Sequence, residues 1–190
     1  DDHRDEMANY VLDVLEACFA SDPMVYVSGN NFLYYTQGVP ADCVSPDAYI
    51  VRGAPKHRRD TFKVWEEGGR TPSFVLEVTS RSTRAEDLGA KMFKYRDDLG
   101  VAEYFLFDPR AEYIKECLRG FRLSAGEYHR IPANAAGRLA SRELGVELGV
   151  LGGHLRFYRP GSADPIPTDR ERAEQERAHA EQERAHAEQE

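Results

Sequence analysis

Apolar residues first recur near the N-terminus, where Met7, Val11, Leu12, Val14, Leu15, Cys18 and Phe19 follow one another at three- and four-residue steps. That period is the period of an α-helix with one buried face, and Asp22-Pro23 marks its expected end. The pattern then changes to β-rich runs. Met24-Val25-Tyr26-Val27 and Phe32-Leu33-Tyr34-Tyr35 flank Ser28-Gly29-Asn30-Asn31, which predicts a hairpin. Residues 44–51 and 74–79 read as two further strands, joined by a polar and basic loop containing Gly68-Gly69. Thr83 and Glu86 have capping-box spacing and predict a helix running to about Leu99-Gly100, with Leu88, Met92, Tyr95 and Leu99 as its buried stripe. Residues 103–107 form a short apolar strand that Asp108-Pro109 closes. More β runs follow at 113–123, at 127–131 before Pro132, and at 154–158 after the turn Gly152-Gly153. This order of elements predicts an α/β fold, a mixed β-sheet flanked by helices.

The tail reads differently. Residues 160–168 turn to Gly, Pro and Ser and read as a linker after a domain spanning 1–159. Beyond it, in 169–190, the heptapeptide Glu-Gln-Glu-Arg-Ala-His-Ala occurs twice, at 174–180 and 181–187. Its alanines fall two and five apart, so the a/d seam of a coiled coil is missing, and a charged, solvated single helix is the expected form. Partner binding by this tail is the secondary reading.

Composition narrows the class. The net charge is −8, which argues against a protein that coats nucleic acid through a general basic surface. The tail, with eight acids and four arginines, accounts for −4 of it. Lys56, His57, Arg58, Arg59 and Lys63 form one basic cluster, open to reading as a binding rim or as a solvated loop. Cys18, Cys43 and Cys117 are odd in number and show no C-x-x-C pair, which points away from a disulfide framework or zinc site and toward a reducing, cytoplasmic setting. No apolar run approaches a membrane span, and acid stands where a signal peptide would carry base.

Three polar residues sit where a half-buried sheet would not place them. Asp47 follows Pro46 at a strand start, Glu77 interrupts Phe74-Val75-Leu76-Glu77-Val78, and Lys91 flanks a helical stripe. Each has a structural reading alone: a turn residue, an outward-facing strand position, a snorkelling lysine. Together they point to chemistry. One strand and the helix after it can bring Glu77 and Lys91 to the same sheet edge, and a neighbouring strand can add Asp47. Two carboxylates are hard oxygen ligands suited to Mg²⁺ or Mn²⁺, and an ammonium can neutralise charge developing at a phosphate.

The segments Ser45-Pro46-Asp47, Phe74-Val75-Leu76-Glu77-Val78-Thr79-Ser80, Asp87-x-x-x-Lys91-x-x-x-Tyr95 and Gly100-Val101-x-Glu103-Tyr104-Phe105-Leu106-Phe107-Asp108-Pro109 resemble the signature of the Uma family, a restriction-endonuclease-like branch of the PD-(D/E)XK proteins. Gly152-Gly153-His154-Leu155-Arg156-Phe157-Tyr158 also fits it. The resemblance implies a restriction-endonuclease-like core and a metal-dependent endonuclease, with Asp47, Glu77 and the Val78 carbonyl as metal ligands. It implies Asp47, Glu77 and Lys91 as the catalytic trio, nucleic acid as partner with DNA the first expectation, and a homodimer as one route to cutting both strands. Thr79 stands where the wider superfamily has its lysine, and the resemblance moves that lysine to Lys91, with Lys94 as fallback.

Secondary candidates carry blander readings. His3, Glu6 and Glu16 read as helix-surface residues, Asp87 as a partner of Lys91 or a helix cap, Asp108 as structural, and Tyr95 and Tyr104 as core and edge aromatics. No G-x-S-x-G elbow and no H-x-x-x-H spacing is present, which leaves the serine-hydrolase and zinc-hydrolase classes without support. A catalytically silent module of the same fold that binds nucleic acid or protein remains the alternative.

Overall fold

The computed structural model describes the backbone of residues 2–187 and the side chains of residues 4–187. In chain order the regular elements are α1 (Asp2–Cys18), β1 (Val25–Ser28), β2 (Phe32–Tyr34), β3 (Cys43–Val44), β4 (Ala48–Arg52), β5 (Thr61–Lys63), a 3₁₀ turn (Val64–Glu66) and β6 (Phe74–Val78). There follow α2 (Arg84–Asp87), α3 (Ala90–Phe93), a π-helical turn (Lys94–Asp98), β7 (Glu103–Phe107), β8 (Leu118–Ser124), β9 (Glu127–Arg130), β10 (Leu139–Ser141), β11 (Val146–Leu151), β12 (His154–Tyr158) and α4 (Asp169–Ala187).

The central sheet has the order β1-β4-β6-β7-β8-β9. It is mixed, because β6 and β7 run parallel while every other neighbouring pair is antiparallel. A parallel pair needs a crossover, and α2, α3 and the π-helical turn supply it. All five residues of β6 and of β7 are buried, so both faces of the sheet are covered. One face carries Ile50, Phe74, Leu76, Val78 and Phe105 and packs against Met7, Val11 and Leu15 of α1 and against Leu148, Leu155 and Phe157 of the β10–β12 sheet. The other carries Tyr49, Val51, Val75, Tyr104 and Leu106 and packs against Tyr95, Leu99 and the small sheet of β3, β2 and β5. The outward-facing reading of Glu77 is overturned here. Its position on β6 looks out of the first core but into the second, where its side chain is fully buried.

Three other expectations are corrected. β1 and β2 form no hairpin: β1 pairs with β4, while β2 pairs with β3 and β5. The polar turn between them crosses over the start of β4, with Asn30 N–H donating to the Pro46 carbonyl at 2.8 Å. A Cβ at Gly29 would lie 1.9 Å from the Asp47 carbonyl oxygen, so only glycine allows that crossing. The residue 44–51 run is split by Ser45-Pro46-Asp47 into β3 and β4, which belong to different sheets. The helix expected from Thr83 is broken at Gly89 (φ −126°, ψ −101°), Thr83 makes no capping bond, and Leu88 is exposed rather than part of a stripe. Tyr95 and Leu99 do enter the core. The β10–β11 hairpin and β5 escaped the sequence reading, their strands being short or interrupted by glycine.

α4 is a single helix with every described side chain at least partly exposed. Thr168 and Glu171 form a reciprocal capping box at its start, Glu171 N–H to Thr168 Oγ1 at 3.1 Å and Thr168 N–H to Glu171 Oε2 at 2.8 Å. Glu171 also pairs with Arg156 of β12 at 2.8 Å. The three cysteines are free, and among the described residues no helix is long and apolar enough to cross a membrane.

Candidate active site

Pairing β4 with β6 antiparallel, with Ala48 opposite Leu76, sets Asp47 opposite Glu77 on the same face of the sheet. Both are buried, Asp47 at 1 % and Glu77 at 0 % exposure. Asp47 N–H donates to Glu77 Oε2 at 3.3 Å, and Asp47 Oδ2 accepts from Val78 N–H at 2.8 Å. These bonds extend the β4–β6 ladder through a side chain at each step. Proline at 46 and glycine at 29 explain why the chain reaches this point in that geometry, since the first ends β3 and the second lets the preceding turn pass over the Asp47 carbonyl.

The crossover brings the ammonium. Although α2 and α3 are separated at Gly89, Lys91 Nζ still reaches Asp87 Oδ1 at 3.1 Å and Glu77 Oε1 at 3.3 Å. A Cβ at Gly89 would meet the Ala85 carbonyl at 2.7 Å, so the break is built around that glycine. Next along the chain, the π-helical turn closes with Leu99 N–H donating to Lys94 O at 3.0 Å and turns Tyr95 inward. The Tyr95 hydroxyl donates to Glu77 Oε1 at 2.5 Å. Tyr95 is the core aromatic that the sequence suggests, and it is also a hydrogen-bond donor to the central carboxylate. Its spacing of four from Lys91 was the available signal. Lys94 points to the Cys43 carbonyl at 3.2 Å and lines the cleft without reaching Glu77. Thr79, in the superfamily's lysine position, is buried and bonds the Phe107 carbonyl through its backbone N–H (2.8 Å) and hydroxyl (3.3 Å).

A residue the sequence reading did not single out completes the cluster. Arg4, in the first turn of α1, places Nη2 2.6 Å from Asp47 Oδ1 and donates from Nε to the Val78 carbonyl at 3.1 Å. It lies three residues before Met7 and seven before Val11, in register with the buried stripe. A cation in the first turn also opposes the helix dipole. Both facts were visible without the structure.

Electrostatics follow from this crowding. Burial, then the neighbouring Asp47 carboxylate, pushes the Glu77 carboxyl up to about 8, with Lys91 pulling in the opposite direction. Burial also raises Asp87, again opposed by Lys91. Burial works against the Lys91 ammonium, yet Glu77 and Asp87 outweigh it and lift its pKa above the ordinary lysine value. Burial, with Glu77 beside it, holds the Tyr95 phenol protonated.

Asp47, Lys91 and Arg4 line an open cleft of about 610 Å³, with Lys94 and the exposed ring of Phe32 (52 % exposed) on its walls. Asn30 is shared with a neighbouring hollow of about 710 Å³ bounded by residues 56–60. The basic cluster there is partly structural. Arg59 pairs with Glu67 at 2.6 Å and stacks over Tyr26, and Lys63 pairs with Glu66, while Arg58 is 94 % exposed.

The remaining candidates are placed outside this cluster. Asp108 accepts from the backbone N–H groups of Arg110, Tyr113 and Ile114 and shapes a turn. Tyr104 bonds the Asp87 carbonyl at 2.8 Å from within the core. Glu6 and Glu16 are exposed on α1, and the side chain of His3 lies outside the described residues.

Among the described residues no three His, Cys, Asp or Glu side chains form a ready-made metal cluster. The donor set is two carboxylates and one carbonyl, all hard oxygens. That suits Mg²⁺, which keeps several waters and is commonly held through one or two carboxylates. Asp47 Oδ1 and the Val78 carbonyl already converge on one cationic group, the Arg4 guanidinium, so the oxygens are aimed where a cation can bind.

The mixed sheet with its parallel β6–β7 crossover and flanking helices is a restriction-endonuclease-like α/β fold. Residues 1–152 match the family described as Uma2, putative restriction endonuclease, and the chain belongs to that family. Among solved structures, it is similar to a chain described as a putative nuclease belonging to DUF820 from Anabaena variabilis, with a TM-score of 0.51 and 11 % identity, covering 74 % of this chain and 73 % of that one. A comparison with curated proteins finds no match.

Proposed function

We propose that this protein is a divalent-metal-dependent endonuclease that hydrolyses phosphodiester bonds, with DNA as substrate. The observation that carries the reading is the convergence of Asp47, Glu77, the Val78 carbonyl and Lys91 where β4 begins and β6 ends, beside a cleft lined by Asp47, Lys91 and Lys94. Family membership supports the same class, and the description of the structural relative as a nuclease agrees with it.

Asp47, Glu77 and the Val78 carbonyl would hold Mg²⁺ or Mn²⁺. When bound, the ion supplies Lewis-acid polarisation of the phosphate and lowers the pKa of water. Lys91 keeps a full positive charge next to Glu77, where it faces charge developing on the phosphate. Glu77 is oriented from two sides, by the Tyr95 hydroxyl and by Asp47 N–H. Lys94 and Arg58 offer charge to the backbone of the substrate, and Phe32 offers a ring at the cleft wall. Lys91 takes over the role of the superfamily lysine, since Thr79 is committed to the Phe107 carbonyl.

The test is cleavage of plasmid and single-stranded DNA with Mg²⁺ or Mn²⁺ by the unaltered chain and by Asp47→Ala, Glu77→Ala and Lys91→Ala. Metal-dependent cutting lost in all three supports the reading. No cutting and no metal binding by the folded, unaltered chain would leave a silent binding module, and cutting that survives the two carboxylate variants would place the chemistry elsewhere.

A further inference from the structure

Resting on the metal-dependent reading above, we propose that Arg4 is a built-in occupant of the cation site, so that divalent metal binds by displacing its guanidinium from Asp47 and Val78. Three observations carry this. Arg4 contacts two of the three oxygen groups assigned to the ion, at 2.6 Å to Asp47 Oδ1 and 3.1 Å to the Val78 carbonyl. The other Asp47 oxygen is committed to Val78 N–H, so Oδ1 has to serve either cation. A magnesium ion sits about 2.1 Å from its oxygens, and a guanidinium hydrogen-bonded to the same two atoms occupies that volume.

Among the described residues, Asp47, Glu77 and Asp87 are three buried carboxylates gathered at one place, with Lys91 and Arg4 paired to them. Arg4 is also suited to leave, being 26 % exposed at the first turn of a helix held in the core by Met7, Val11 and Leu15. Helix ends open at the lowest free energies in a fold. In the metal-free state Arg4 keeps two facing carboxylates from repelling each other, and in the metal-bound state it is released toward the cleft that it already lines.

The experiment is calorimetric titration of the full chain with MnCl₂, alongside Arg4→Gln, Arg4→Lys and Asp47→Ala. Relief from competition by one nearby cation predicts Mn²⁺ binding about tenfold tighter in Arg4→Gln, a smaller change in Arg4→Lys and loss in Asp47→Ala. Hydrogen exchange on the unaltered chain gives a readout independent of any variant: saturating Mg²⁺ should speed exchange of the amides around residues 4–8. Unchanged or weaker Mn²⁺ affinity in Arg4→Gln, or exchange in that turn slowed by Mg²⁺, overturns the assignment while leaving the metal site standing. Absence of Mn²⁺ binding in both the unaltered chain and Arg4→Gln overturns this assignment and the metal-dependent reading together.

Discussion

Two glutamates are buried in neighbouring parallel strands, Glu77 on β6 and Glu103 on β7, and they live in opposite environments. Glu103 is surrounded by donors. Arg122 reaches it at 3.0 Å, the Ser141 hydroxyl at 2.5 Å, and the backbone N–H groups of Arg142 and Glu143 at 2.9 and 3.3 Å. That carboxylate locks β7 and β8 to the chain around β10. Glu77 receives the Tyr95 hydroxyl, Lys91 and one backbone N–H, and it also faces two other carboxylates. Burial alone therefore does not mark a catalytic group. A buried acid whose donors saturate it is a structural clamp, whereas one held among further acids stores unfavourable electrostatics that a cation can relieve.

The sharpest break of this comparison is the same substitution at both positions. Glu77→Gln should lower metal-dependent cleavage by about a thousandfold or more while leaving the melting temperature unchanged or higher, because a neutral amide replaces an acid whose charged form burial and Asp47 disfavour. Glu103→Gln should do the reverse, costing about 3 kcal/mol of stability, at the low end for a broken buried pair because Arg122 is partly exposed, with cleavage by the folded fraction within about twofold. Thermal melts and activity per folded molecule read both. Equal stability losses would erase the distinction.

Tyr95→Phe should act more mildly, lowering cleavage by about tenfold, the usual scale for losing a group that orients a ligand. The Tyr95 hydroxyl favours the ionised Glu77 carboxylate, so its removal should move the acidic limb of the pH–rate profile to higher pH. A limb that stays in place would reduce Tyr95 to packing.

Stability against pH gives a further test. Glu77 is raised from the ordinary carboxylate range to about 8 by burial and by Asp47. A group whose folded pKa lies above its unfolded value stabilises the fold while it is protonated, and that contribution is lost as pH rises through the folded value. The melting temperature of the metal-free chain should therefore fall between about pH 5 and pH 8 relative to Glu77→Gln, with Mg²⁺ reducing the difference. A difference that grows in the opposite direction would contradict the assigned shift.

The same contrast shows what patterning conveys. Helical periodicity located α1, the apolar runs located β6 and β7, and the breaks at Asp108-Pro109 and in 160–168 were visible as composition. Asp47, Glu77 and Lys91 stood out because charge in an apolar context is costly, and the structure brings all three together. The expected β1–β2 hairpin failed because a polar turn does not say which strand pairs next, and backbone clearance at Gly29 settles that in three dimensions. Arg4 was passed over, and Tyr95 was read as a core aromatic without its bond to Glu77, because the contacts that give them meaning span 43 and 18 residues of sequence.

From the amino-acid order alone came the element types along most of the chain, the α/β class, the charged tail helix and three of the charged side chains that the fold gathers at one place. Those depend on local period and on the cost of burying charge, which neighbouring residues already express. The tertiary structure decided which strands are neighbours, that Glu77 faces a second core rather than solvent, and that a guanidinium from the first helical turn meets two oxygens assigned to a metal. Such facts arise from long-range packing, where a few ångströms of backbone clearance choose between arrangements that local sequence leaves equivalent.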